Sequence, residues 1–199
     1  MEAKKYVLGI DPSLTGMGVA KYFDDGSHDV KRFKSKSLGE TVRERNLRYL
    51  RLIDRVMSFI GVDDGDLPPV VICLEGYSFG SVGRAVSLGE LGGILRSDLC
   101  LFDDVPIYEV APNALKKFVT GKGVGDKIAV VTSCLKNWNV GFSSDDEFDA
   151  YGLSRIAACI AGFNPPENIQ QVQCLKKITN RVFEVGESTL IPEPESPPF

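Results

Sequence analysis

Two short apolar runs in this chain each end on a carboxylate, and that pairing constrains the fold more than any other feature. The first, Tyr6 to Ile10, delivers Asp11 and then breaks into Pro12-Ser13-Leu14-Thr15-Gly16. The second, Pro69-Val70-Val71-Ile72-Cys73-Leu74, delivers Glu75 before Gly76. Short apolar runs bounded by turn residues read as buried strands. A carboxylate at the end of such a strand is held on a rigid element beside a cleft. A third acidic group, Asp145-Asp146-Glu147-Phe148-Asp149, opens an apolar helix. Three separated acidic positions, each at the edge of a core element, suggest a site for a hard cation.

The elements between them follow from turn signals and periodicity. Residues 6–11, 16–23 and 29–37 read as three consecutive strands, with turns at Pro12-Ser13 and Asp24-Asp25-Gly26. Short connections favour antiparallel neighbours. Residues 40–60 read as an amphipathic helix, with Leu47, Leu50, Ile53, Met57 and Ile60 on one side and Arg48, Arg51 and Arg55 opposite. A strand over 69–75 is followed by a Gly/Ser-rich loop, Gly76 to Gly83, and a helix over 84–99 carrying Gly89, Gly92 and Gly93. A strand over 105–110 precedes a short helix from Pro112, since proline suits a first helical turn. Helices over 127–137 and 145–162 complete the pattern, and Gln170 to Val185 reads as an edge hairpin. This order gives an α/β fold: a mixed five-stranded sheet, its first three strands antiparallel, with helices on both faces. The first and fourth strands then lie side by side, which brings Asp11 and Glu75 together.

A chain of 199 residues suits one main domain with a sizeable core. We place that domain at 1–163 and a C-terminal extension at 164–199, whose Pro-Glu-Pro-Glu-Ser-Pro-Pro end has the composition of a disordered tail. No stretch reaches membrane-spanning length, and Met-Glu-Ala-Lys-Lys lacks a signal-peptide core. The five cysteines are scattered, mostly inside apolar patterns, without a CxxC pair. They read as reduced core residues of a cytoplasmic protein, not as zinc ligands. Net charge is −4, yet Lys31 to Arg55 holds nine basic side chains against three acidic ones. The local field, not the total, is what a polyanion would meet.

Five motifs occur in order: Gly9-Ile10-Asp11-Pro12-Ser13; Leu74-Glu75-Gly76; Ala111-Pro112-Asn113 with Lys116-Lys117; Thr120-Gly121-Lys122-Gly123 with Asp126-Lys127; and Asp146-x-x-Asp149-Ala150. Together they resemble the RuvC family of Holliday-junction resolvases, in the ribonuclease-H-like superfamily. The resemblance spans residues 5–162. It implies a homodimeric, Mg²⁺-dependent endonuclease, with Mn²⁺ as a substitute, that cuts four-way DNA junctions. It implies Asp11, Glu75, Asp146 and Asp149 as catalytic metal ligands. Asp145 neighbours Asp146, and the family spacing to Asp149 favours Asp146. Residues Lys116, Lys117, Lys122 and Lys127 would be DNA-backbone contacts, and Tyr77 or Phe79 would wedge into the junction core. The acidic tail and the short Asp-Pro-Ser-Leu-Thr opening are similar to those of viral or otherwise divergent members; a viral origin would make the cytoplasm that of a host cell.

The residues fit that chemistry independently. Asp146 and Asp149 stand three apart in the first turn of a helix, so they share a face and meet the favourable end of the helix dipole. Several carboxylates packed together raise one another's pKa unless cations compensate. Two metals about 3.5–4 Å apart serve an in-line phosphoryl displacement. The single histidine, His28, falls in a hairpin turn and leaves little room for Ser-His-Asp or Cys-His catalysis. Two other readings compete. One is a broader branched-DNA nuclease acting on forks, flaps and replication intermediates. The other is an actin-like ATPase, for which the chain is short and the acids at 146 and 149 have no use.

Overall fold

The computed structural model describes residues 4–61, 67–76, 85–123 and 127–180. Five strands, β1 (Tyr6–Asp11), β2 (Met17–Phe23), β3 (His28–Phe33), β4 (Ile72–Glu75) and β5 (Ile107–Val110), form one sheet in the order β3-β2-β1-β4-β5. β1 pairs antiparallel with β2, and β2 with β3, while β1–β4 and β4–β5 are parallel. This is the mixed topology expected from the run of short turns followed by helical crossovers. β3 stops four residues earlier than expected, at Phe33. There Ser35 leaves the sheet and donates its hydroxyl to the Leu14 carbonyl.

Side-chain alternation along the strands builds two cores. Leu8, Ile10, Ile72 and Leu74 point to one face, where α1 (Val42–Ile60) and α2 (Ala85–Leu99) cover them. Val7 and Cys73 point to the other, covered by α3 (Pro112–Thr120), α4 (Lys127–Trp138), α5 (Asp145–Ala161) and α6 (Ile169–Thr179). α1 starts on a capping box, Thr41 with Glu44, and ends on Gly61 in the left-handed region.

The buried stripe of α1 is rotated from the one expected. Tyr49, Leu52, Ile53, Val56 and Ile60 are buried, whereas Leu47 and Leu50 are 36% and 52% exposed. The sheet selects the stripe that carries the large Tyr49, and apolar spacing alone did not weigh it. The expected hairpin over 170–185 is also corrected, because Ile169–Thr179 is helical. Asn168 caps it by accepting from the Gln171 amide, and Gln171, Val172, Cys174 and Leu175 supply a buried helical stripe. α6 packs against α3 and α5, beyond the boundary placed at 163. All five cysteines are free, and four are buried. Among the described residues no helix is long and apolar enough to cross a membrane.

Candidate active site

Register explains why the two strand acids meet. Ile10 pairs with Leu74 in the parallel β1–β4 ladder, so Asp11 and Glu75 follow side by side at the strand ends. Both share the parity of Val7 and Cys73, and therefore face α5. α5 lies unusually close to the sheet there because two strand positions have no side chain. A Cβ on Gly9 would fall 2.2 Å from both the Ala150 carbonyl oxygen and the Ser154 nitrogen. One on Gly18 would fall 2.0 Å from the Asp146 carbonyl oxygen. This close seat brings the first turn of α5 over Asp11.

The electrostatics record the convergence. Asp11 is 8% exposed. Burial, a hydrogen bond with Glu75, and the charges of Glu75 and Asp146 hold its pKa well above the carboxylate range. Glu75 is also raised, by burial and by Asp149, although its bond with Asp11 and the nearby Lys116 pull it back. Both carboxyls therefore resist ionisation in the metal-free protein, Asp11 the more because it is the more deeply buried. Asp149 is pushed up to about 7 by burial first, then by Asp11 and its helix neighbours. So many buried acids that cannot all ionise are suited to a divalent cation, and their all-oxygen donor set suits a hard one.

Asp145 and Asp146 part ways at the helix start. Asp145 Oδ2 lies 3.0 Å from Lys127 Nζ, and this ion pair raises the lysine's pKa. Asp146 Oδ2 lies 2.6 Å from Arg32 Nε of β3. Asp146 is the helix acid whose charge raises Asp11. Each of the pair is drawn to a base, and among the described residues no three acidic, cysteine or histidine side chains stand close enough to grip one ion. Arg32 was legible in the sequence only as one member of a basic stretch. The signal that finds it is register: Arg32 pairs with Gly18, and Gly18 with Asp11.

An open cavity of about 230 Å³ adjoins the acids, lined by Glu75, Asp145 and Asp149 with Lys116 and Lys127. Two of the four expected lysines are therefore at the site. Lys117 instead donates to Gln173 Oε1 of α6 at 2.9 Å. Lys122 follows α3 in the exposed loop after Gly121 and does not line the cavity. Tyr77, Phe79 and Asp126 lie outside the described residues. His28 is the first residue of β3 rather than part of a turn, and its ring meets Tyr151 edge-on at 5.1 Å.

No family model matches the chain. Curated relatives do. The crossover junction endodeoxyribonuclease RuvC of Caldicellulosiruptor saccharolyticus is 28% identical over 127 residues, covering 62% of this chain and 73% of the relative. That of Chlamydia trachomatis serovar L2 is 25% identical over 170 residues, covering 83% and 96%. Among solved structures, Thermus thermophilus RuvC superposes with a TM-score of 0.57 at 18% identity, covering 79% of this chain and 96% of that one. The T. thermophilus RuvC in complex with Holliday junction substrate gives 0.54 at 16% identity, covering 75% and 90%. In sequence and in fold the chain is thus similar to RuvC proteins. Its sheet order, with three antiparallel strands leading, matches the ribonuclease-H-like fold expected from the sequence.

Proposed function

We propose that this protein is a divalent-metal-dependent endodeoxyribonuclease that cuts four-way DNA junctions. The observation that carries the reading is the burial of Asp11, Glu75 and Asp149 at one end of the sheet with their pKa values raised together, beside Asp146. Those four carboxylates would hold Mg²⁺, with Mn²⁺ as a substitute. The ion, when bound, supplies charge neutralisation at a phosphate oxygen and acidity to the attacking water. The Lys116 and Lys127 ammonium groups line the adjoining cavity and orient the phosphodiester by charge, without reading sequence. Lys127 is held in place by its pairing with Asp145.

A junction carries matching strands on opposite sides, so symmetric cutting needs two such sites. The chain acts as a homodimer, and α2 supplies a face for it, since Gly89 and Gly93 have open space beside them. A monomer by light scattering, both free and on DNA, would contradict this. The activity is tested with synthetic four-way, forked and linear DNA, in Mg²⁺ and in chelator. Cutting of the four-way substrate in Mg²⁺ alone is expected, and Asp11→Asn should bind the junction without cutting it. Full activity in Asp11→Asn would sink the mechanism. Equal cutting of forks and four-way junctions would favour the broader branched-DNA nuclease.

A further inference from the structure

The basic stretch noted in the sequence forms a groove away from the carboxylates. After β3 ends, Lys34 and Lys36 run along α1, and with Arg48, Arg51 and Arg55 they line a cavity of about 250 Å³. None of these five cations is ion-paired with a carboxylate among the described residues. This contrasts with Arg32, Arg45, Arg96, Lys127 and Arg155, each of which is matched to an acid.

The groove is also built rather than loose. Arg48 donates from Nε to Ser35 Oγ at 2.9 Å and from Nη2 to the Leu14 carbonyl at 2.7 Å. Arg55 donates from Nη1 to the Lys34 carbonyl at 3.0 Å and lies over the Phe33 ring. Neutral acceptors fix these guanidinium groups without cancelling their charge. Lys34, Lys36, Arg51 and Arg55 remain exposed. An anion entering here finds oriented donors whose ordering cost is already met.

Its position identifies the anion. Asp11 is in register with Gly18, and Gly18 with Arg32, so the end of β3 is at the carboxylate end of the sheet. α1 covers the face opposite α5. The groove is reached from the acids by passing around the β3 edge. We propose that it holds backbone phosphates of a duplex arm of the branched substrate, after that arm has left the cutting site. Duplex DNA offers one negative charge per about 1.7 Å of axis, and each phosphate neutralised lowers the salt slope of binding by about 0.9. The inference rests on the nuclease reading above and adds a second contact to it.

The test uses the full chain and a Lys36→Glu/Arg51→Glu double variant, both positions being exposed so that the fold is kept. Binding is measured by fluorescence anisotropy in chelator, over a range of salt, on a four-way junction with arms of about 25 base pairs and on single strands of the same length. Thermal melting checks the fold. On the junction the variant should bind on the order of 10-fold weaker or more near 0.1 M salt, with a salt slope shallower by about 2. Wild-type affinity and slope on the junction would overturn the groove assignment. Equal loss on single strands would overturn it too, because the groove would then not be holding a duplex arm. A wild type that binds no branched DNA would instead bring down the nuclease reading itself.

Discussion

Replacing Gly9 with alanine should shift the active site without touching a single acidic group. The new methyl would sit 2.2 Å from the Ala150 oxygen and 2.2 Å from the Ser154 nitrogen. Those two atoms are four residues apart in α5, the spacing of one turn's hydrogen bond. Ordinary contact begins near 3.4 Å, so α5 must lift by about 1.2 Å. Both obstacles are backbone, and neither can rotate away. Overpacking costs about 1–3 kcal/mol, and this case belongs at the upper end. For a chain of this length that lowers the Tm by about 6–12 °C. Asp149, one residue before Ala150, moves with the helix. A displacement of about 1 Å at reacting groups costs on the order of 100-fold in rate. The assays are thermal unfolding by circular dichroism and Mg²⁺-dependent cutting of a four-way junction. Gly152→Ala is the matched control, since its methyl would meet only side-chain carbons, of Leu115 and Val119, at 2.9 Å and no backbone. A Gly9→Ala protein that melts within about 2 °C of wild type and cuts at its rate refutes the view that this glycine sets the seat of α5.

Three further outcomes are expected. Asp146→Asn should reduce junction cutting far more than Asp145→Asn, because Asp146 acts on Asp11 while Asp145 is occupied with Lys127; the reverse ranking in a cleavage assay would assign the role to Asp145. Asp149 is raised to about 7, whereas unfolded carboxyls titrate near about 4, so the native metal-free protein holds more protons over that window. Its stabilising share is full below about pH 4 and is lost as pH rises through 7, so Mn²⁺ should raise the Tm more at pH 8 than at pH 5, and equal protection at both would refute this. If Tyr77 or Phe79 opens the junction core, its alanine variant should cut fully paired junctions slowly and recover on junctions unpaired at the centre; two variants without that selective defect would end the wedge idea.

The parts of the fold that the sequence made legible are those where local chemistry and tertiary packing agree. β1 reads from its apolar run and its Asp-Pro-Ser break, and α3 from proline at its first turn. The pairing of Asp11 with Glu75 follows from short turns and a helical crossover, which leave few other topologies. Where two apolar stripes compete, the choice belongs to the partner surface: α1 turns Tyr49 inward and leaves Leu50 out. α6 was misread because its cap, Asn168, sits in a Pro-rich stretch that also signals a turn. The site divides in the same way. Its acids were visible because each terminates or starts an element. Arg32 was hidden because an ion pair across strands has no signature along the chain.

Arg32 gives the last expectation. It reaches past Gly16 to place Nε 2.6 Å from Asp146 Oδ2, yet that nitrogen makes no aligned hydrogen bond. The contact is mainly one of charge. In the metal-free protein it compensates an acid that faces Asp11 and Asp149, alongside the more distant Lys127. A cation drawing on Asp146 must first compete with the guanidinium. Removing that competitor should therefore tighten metal binding while leaving the empty site more repulsive. The pair keeps some solvent contact, so its strength is about 1 kcal/mol, which corresponds to roughly 5-fold in affinity. Arg32→Gln should bind Mn²⁺ about 5-fold more tightly in an electron paramagnetic resonance titration without DNA, and its metal-free form should melt earlier. Arg32→Lys, which keeps the charge, should fall nearer the wild type. Unchanged or weaker Mn²⁺ binding by Arg32→Gln would mean that Arg32 holds Asp146 in its ligand position instead of competing for it.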